Sequence, residues 1–360
     1  MMNRIIFIIT LVFSFSFVHS QEEVEADLQM NTFLIQHSAD YPVRKMMAGN
    51  DTVNLPFKDD FSYNSFYPDT GLWTDNFVYI NRDYPIAPPT LGVATFDGLN
   101  ASGYPYNFSA APLSSNVADY LTSKYIRLGS PSSPVDSLYF SFYYQAAGRG
   151  NDPEPLDSLI LQFYDPAGGW KNVWGKRGYS PAVNDSGFHR VMIPITNSIY
   201  FTNAFRFRFV NHATLSGNLD HWHVDYVYLN SARSISDNIQ NDVAFVYNAP
   251  TFLKNYQQMP WEQYRTSEMK TALSMYIRNN NNNAASVDYI DTLRDATSSS
   301  VWDYNGGNCS VNPFVSAGYA SCASHENPPV SYSFPLLTDS ATFTAEHKLN
   351  YSGDVNTANN

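Results

Sequence analysis

The sequence predicts an all-β fold, a two-sheet sandwich followed by an immunoglobulin-like β-sandwich that is expected to be incomplete. Three observations predict it. Aromatic residues make up 16% of the 360 residues, led by 26 Tyr and 24 Phe, while charged residues make up only 15%. Tyr and Phe suit a pleated, half-buried surface. Short runs of these residues alternate with polar ones at period two, the strand period. Turn signals built on Gly, Pro, Asn and Asp separate the runs.

Residues 1–20 read as a secretory signal peptide: Arg4 opens it, an apolar run follows from Ile5, and small residues precede an acidic start. Val18 and Ser20 suit a cleavage site, and Gln21 in place of Cys argues against a lipoprotein. Residues 21–54 read as an irregular polar segment. The first dense block, 55–230, opens at "LPFKDDFSY" and closes at "HWHVDYVYLN". Inside it, "SLYFSFYYQA" from Ser137, "SLILQFYD" from Ser158, "FHRVMIPI" from Phe188 and "AFRFRFVNHA" from Ala204 predict strands. In the last, Phe205, Phe207 and Phe209 face one way and Arg206 and Arg208 the other.

A polar linker, 231–241, leads to the second block, 242–360. "DVAFVYNAP" predicts a strand. "WEQYRTSEMKTAL" fits a helix, whereas "ALSMYIRN" alternates like a strand. "ASVDYIDTLRDA" continues as a strand, and "VSYSFPLLTDSATFTAEHKLN" predicts two strands joined at "LLTDS". The chain closes on the turn-like "GDVNTANN", from which the second sandwich is expected to be cut short.

Formal net charge is −12, and loss of Arg4 with the leader takes it to −13. Without a Lys/Arg cluster, nucleic acid and anionic membrane surfaces are poor partners. No transmembrane segment is expected after the leader. The two cysteines, Cys309 and Cys322, are expected to form a disulfide in an oxidising compartment, in preference to two free thiols.

"NLDHWHVDYVYLN" poses the sharpest chemical question. His221, His223 and Asp225 alternate, so one strand face would carry two imidazoles and a carboxylate. A metal needs further ligands from another strand, and nothing in the sequence brings His189 or His212 near. The favoured reading is a core strand with Trp222, Val224 and Tyr226 inward, the histidines meeting solvent or a polar neighbour. Glycoside hydrolysis needs two paired carboxyls. Residues 55–230 hold one glutamate, Glu154, in a Pro-rich loop. Serine-nucleophile, zinc-protease and phosphate-loop signatures are lacking, and no catalytic residue is expected. Trp73, Tyr79, Tyr104, Tyr106, Trp170 and Trp174 are candidates to stack on sugar rings, with core filling as the rival role.

"LPFKDDFSY", "PDTGLWTDNFVYIN", "PPTLGVATFDGLNASGYPYN", "VDSLYFSFYYQ", "EPLDSLILQFYD" and "LDHWHVDYVYLN" resemble the large exported surface proteins of Bacteroidota. In those, a MAM or concanavalin-like jelly roll precedes immunoglobulin-like modules. The resemblance covers residues 55–230 and, more loosely, 242–355. It implies export through the type IX secretion machinery, although the sorting domain of that family is missing here. It also implies a structural calcium stapling the first strand to the last, through Asp59, Asp60 and Asp225, with Asp97 a weaker addition. Asp followed by Ser or Thr resembles the O-glycosylation signal of such proteins, marking Thr52, Ser137, Ser158, Thr292 and Ser340. The function expected is non-catalytic binding or display at the cell surface, toward a glycan or another protein. The alternative is an accessory part of a longer secreted hydrolase whose catalytic module lies elsewhere.

Overall fold

The computed structural model describes residues 29–38, 52–129, 137–179, 187–237, 240–337, 339–355 and 357–360. The expected signal peptide, with Arg4, Val18 and Ser20, lies outside the described residues. The chain is all-β. Short helix α1 (Thr32–His37) precedes β1 (Thr52–Asn54), β2 (Phe57–Asp59), β3 (Tyr79–Asn81), β4 (Val93–Phe96), β5 (Ser115–Thr122) and β6 (Tyr125–Arg127). Then come β7 (Tyr139–Ala146), β8 (Ser158–Asp165), β9 (Gly169–Arg177), β10 (His189–Pro194), β11 (Phe207–Thr214) and β12 (Trp222–Asn230).

Two sheets form the first unit. One has six strands in the order β10-β7-β12-β4-β3, with β2 also on β12; the other has four, β5-β11-β8-β9. Their inner faces interlock through phenylalanine. The Phe140 and Phe207 rings lie 4.5 Å apart, and Phe142 and Phe209 lie 4.9 Å apart, both edge to face. Such pairs add to simple area burial because the ring edge is positive and its face negative. The alternation of β11 is as the sequence predicts: Phe207 and Phe209 are buried, Arg208 is half-buried on the other side. The N-terminal stretch is less irregular than expected. Asn31 caps α1, accepting from the Leu34 amide at 3.1 Å, and β1 pairs with β6 in parallel.

The second unit has its own core. β13 (Val243–Phe245) pairs with β14 (Ile277–Asn279), and β15 (Ala285–Arg294) lies between β16 (Ser300–Val311) and β17 (Thr344–Asn350). Two single-turn helices, α2 (Phe314–Ala317) and α3 (Ala323–Glu326), follow β16. Val243, Leu273, Val287 and Tyr289 are fully buried here. The expected helix at "WEQYRTSEMKTAL" resolves into two isolated 3-10 turns, Trp261–Gln263 and Thr266–Glu268. Of the two strands expected around "LLTDS", only the second, β17, forms. The long β16 is not among the strands the sequence predicts. In the structure Gly307 pairs with Tyr289 and Asn305 with Ile290, leaving Gly306 unpaired. That is a β-bulge, and the φ of +67° at Gly307 suits a residue without Cβ.

The 82–90 segment of the first unit seats against the second. Arg278 donates to the Ala87 carbonyl at 3.2 Å and Asn280 to the Pro89 carbonyl at 2.8 Å, while Tyr247 accepts from the Ala87 amide at 2.8 Å. Near the last residue, the Asn359 side chain donates to Asp60 and to Asp242.

Candidate functional site

The outer face of the four-stranded sheet gathers aromatic and planar polar side chains. Residue pairing runs Tyr120 to Val210 and Thr122 to Arg208, then Arg208 to Gln162 and Gln162 to Asn172. Arg208 donates to Gln162 at 2.7 Å, and Gln162 donates to Asn172 at 2.8 Å. The Arg208 guanidinium sits 4.4 Å from the Trp170 ring centre and 4.9 Å from that of Tyr120. Arg206 lies 4.9 Å over Tyr125 and donates to the Ser123 carbonyl. Tyr164 meets Trp170 edge to face at 5.2 Å. A flat guanidinium on a ring face keeps its remaining N–H donors turned outward.

Of the six aromatics singled out from sequence, Trp170 alone stands on this face. Trp73 is in the core, its indole N–H donating to Asp59 at 2.6 Å. Trp174 closes the core edge against Phe142 and Tyr144, 5.0 and 4.9 Å away. Tyr79 packs near Phe33 and Tyr84. Tyr106 donates to Asp119, and Tyr104 is exposed in the same loop. Tyr120, Tyr125, Tyr164, Gln162 and Asn172 were missed. For Tyr164 and Gln162 the signal was the outward register of β8, whereas Tyr120, Tyr125 and Asn172 stand on strands the sequence reading did not predict.

The histidine stretch lies inside the sheet, not at its edge: β12 pairs with β7 on one side and with β4 and β2 on the other. Trp222 and Val224 point into the core as predicted. The histidines do not reach solvent; His221 is 1% exposed and His223 fully buried. His223 Nε2 lies 3.0 Å from the Ala147 carbonyl. A carbonyl only accepts, so Nε2 carries the proton and Nδ1 accepts from the Thr95 hydroxyl at 2.8 Å. His221 Nδ1 accepts from the Asn151 amide, and Tyr84 stacks on its ring at 5.0 Å. Burial holds His221 down to about 3 and His223 to about 4. Both are neutral structural rings.

Tyr226 departs from the expected inward side. The register of β12 on β7 shifts between Asp225 and Tyr228, and Tyr226 has a φ of +51°. The Asp225 carboxylate accepts from the Tyr226 amide, fixing the bulge. Val227 and Leu229 therefore join the core, and Tyr226 turns away from it, still buried at 2% exposure, with Lys58 4.8 Å from its ring.

Of the expected calcium set, Asp60 and Asp225 meet at Thr90, whose hydroxyl reaches the Asp60 carbonyl and the Asp225 carboxylate. Neighbours on a strand point opposite ways. Asp59 turns to Trp73 and the Phe61 amide, and Asp60 turns to Ser62 and Asn359. Asp225 accepts from Thr90. Glu154, Asp157 and Asp220 bring one carboxylate oxygen each within 4.8 Å of one another. Burial pushes Asp59 up to about 7, and pushes Glu154, with help from Asp220, to about 7. Asp97 is buried beside Asp119, and both are raised, chiefly by burial.

Cys309 and Cys322 are unbridged in this structure, and their sulfurs lie within 4.8 Å of each other. Cys322 Sγ also meets Ser324 Oγ at 3.2 Å and His325 Nδ1 at 3.6 Å. Among the expected O-glycosylation positions, Ser340 is exposed, and Thr52, Ser137 and Ser158 are half-buried. Thr292 is only 8% exposed in the middle strand of its sheet, where a glycan has no room. Among the described residues no helix is long and apolar enough to cross a membrane.

No protein-family model matches the chain, and no curated protein matches it. Among solved structures, the K2 cleaved adhesin domain of Lys-gingipain is similar at 13% identity over 49% of this chain and 98% of that chain, with a TM-score of 0.29. The K1 cleaved adhesin domain of Lys-gingipain from Porphyromonas gingivalis shows 8% identity over 49% and 98%, with a TM-score of 0.27. A carbohydrate-binding module specific for non-crystalline cellulose shows 13% identity over 43% and 82%, with a TM-score of 0.25. Likeness at such scores decides nothing about ligand or activity in this chain.

Proposed function

We propose that this chain is a non-catalytic binding protein whose first sandwich takes glycan on the outer face of the four-stranded sheet. The observation that carries the reading is the Tyr120–Arg208–Trp170 stack, continued by the Gln162–Asn172 pair. A sugar offers C–H faces that lie on aromatic rings and hydroxyls that need paired donors and acceptors. Such a site joins apolar surface to a few fixed polar groups, and a row already bonded to itself costs little ordering on binding. A surface protein is the rival partner.

The same reading places the chain outside the cell or on its surface, exported by the type IX machinery, with residues 55–230 as the jelly roll and 242–360 as the immunoglobulin-like unit. O-glycosylation at Thr52, Ser137, Ser158 and Ser340 belongs to it. A glycan array probed with the full chain tests the proposal. Binding that is lost in Trp170→Ala at unchanged melting temperature supports it, whereas a blank array, or binding indifferent to Trp170 and Arg208, removes it.

A further inference from the structure

We propose that Cys309, Cys322 and His325 bind a thiophilic d10 cation, zinc being the borderline member that accepts two thiolates and one imidazole. The site belongs to the second unit and does not depend on the glycan reading. It is built on the β15–β16 pair. Cys309 stands on β16 opposite Val287 of β15. Cys322 caps α3, and α3 carries His325 back against the same strands. One donor atom from each of the three lies within 4.8 Å of the other two.

The orientation of the imidazole is the second observation. His325 is fully buried, and its Nε2 lies 2.9 Å from the Val287 carbonyl. The carbonyl can only accept, so Nε2 carries the proton and Nδ1 presents a lone pair. That lone pair faces Cys322 Sγ at 3.6 Å and Ser324 Oγ at 2.9 Å. A backbone carbonyl on the far ring nitrogen is how metal-bound histidines are held in one tautomer. The Gly306 backbone beside it is part of the cradle: a Cβ there would stand 2.9 Å from the Ser324 carbonyl and 3.4 Å from His325 Nδ1.

Two sulfurs and one nitrogen suit a tetrahedral ion with its fourth position left to Ser324 Oγ or water. Hard cations such as calcium want oxygen instead. Binding releases two protons: each thiol loses one to solvent as its sulfur bonds the metal, and no electron moves. Both cysteines are half-buried, so an ion has a path in.

The test uses the full chain, reduced and freed of metal, titrated with cobalt(II) and then zinc. The expected result is the absorption of a tetrahedral cobalt–thiolate site, saturating at one equivalent and abolished by zinc. Cys309→Ser and Cys322→Ser should each weaken binding by more than the roughly 10–100-fold typical of losing an outer-shell partner. Both variants keep a similar side chain, and their circular dichroism and melting control for folding should His325→Ala fail to fold. Absence of the sulfur-to-cobalt band in the reduced wild type overturns the proposal. So does a Cys309–Cys322 disulfide in the exported protein, which would consume both thiolates.

Discussion

The Thr95 hydroxyl and His223 Nδ1 meet at 2.8 Å in the middle of the six-stranded sheet, and neither residue is exposed to solvent. Asn81 donates to the same hydroxyl at 2.6 Å, so the hydroxyl in turn donates its O–H to the ring nitrogen. The imidazole has one donor and one acceptor, and each has a partner. A protonated ring would place a second N–H against a hydroxyl already committed to donating.

The first prediction follows from that arrangement. Burial holds His223 at about 4 when folded, against 6.5 for the free side chain. As pH falls below 6.5 the unfolded chain takes up the proton first. The ring's contribution is therefore full above pH 6.5 and is lost as pH falls toward 4. Full loss is about 3 kcal/mol. Unfolding free energies of wild type and His223→Gln, measured across this range, should converge as pH falls. A gap that stays constant with pH would show that the ring does not titrate in this way.

A second prediction concerns the loop over His221. A Cβ at Gly150 would lie 2.4 Å from His221 Cγ. Gly150→Ala should therefore cost about 1–3 kcal/mol, as overpacking does. Truncating the ring makes the room, so Gly150→Ala and His221→Ala should be strongly non-additive in a double-mutant cycle. Simple additivity of the two melting shifts would place the loop elsewhere.

Much of the first unit was legible because β8 and β11 alternate without interruption. The Phe205, Phe207, Phe209 and Arg206, Arg208 split gives the inner and outer faces directly. Alternation fails where backbone geometry resets it. Nothing in "HVDYVYLN" announces that Asp225 will bond the next amide and flip Tyr226. Nothing in "NGGN" distinguishes a bulge from a turn. The candidate site was half legible for a related reason. Period two says that a ring points away from one sheet, but not whether another element covers it. Trp73 and Trp174 were thus indistinguishable from Trp170. The His325 contact with Val287 is set by packing of a turn on a strand, which spacing does not encode.

The bulge gives a third prediction. Trp222 and Tyr226 are both buried, but only Trp222 belongs to the core between the two sheets. Trp222→Ala should cost about 3–5 kcal/mol, from lost transfer energy and the cavity left behind. Tyr226→Ala should cost the first sandwich less, because the ring fills no space between its sheets. Separate probes of the two units in denaturant decide it. Equal destabilisation of the first unit by both changes would contradict the outward position of Tyr226.

The last prediction separates shape from charge at the proposed glycan face. Arg208 lies between the Trp170 and Tyr120 rings and donates from Nε to Gln162. Lysine keeps the charge but lacks both the planar fork and an N–H at the ε position. If the face works by holding a flat, bonded row, Arg208→Lys should lower glycan affinity nearly as much as Arg208→Ala. If it works only by positive charge, Arg208→Lys should bind as wild type does and weaken steeply with salt. Because Arg208 is half-buried on an outer face, each change should leave stability within about 1 kcal/mol. Titrations of both variants with an array-identified glycan, at low and high salt, distinguish the two. Recovery of affinity by lysine would assign the face to electrostatic attraction rather than to a fixed stack.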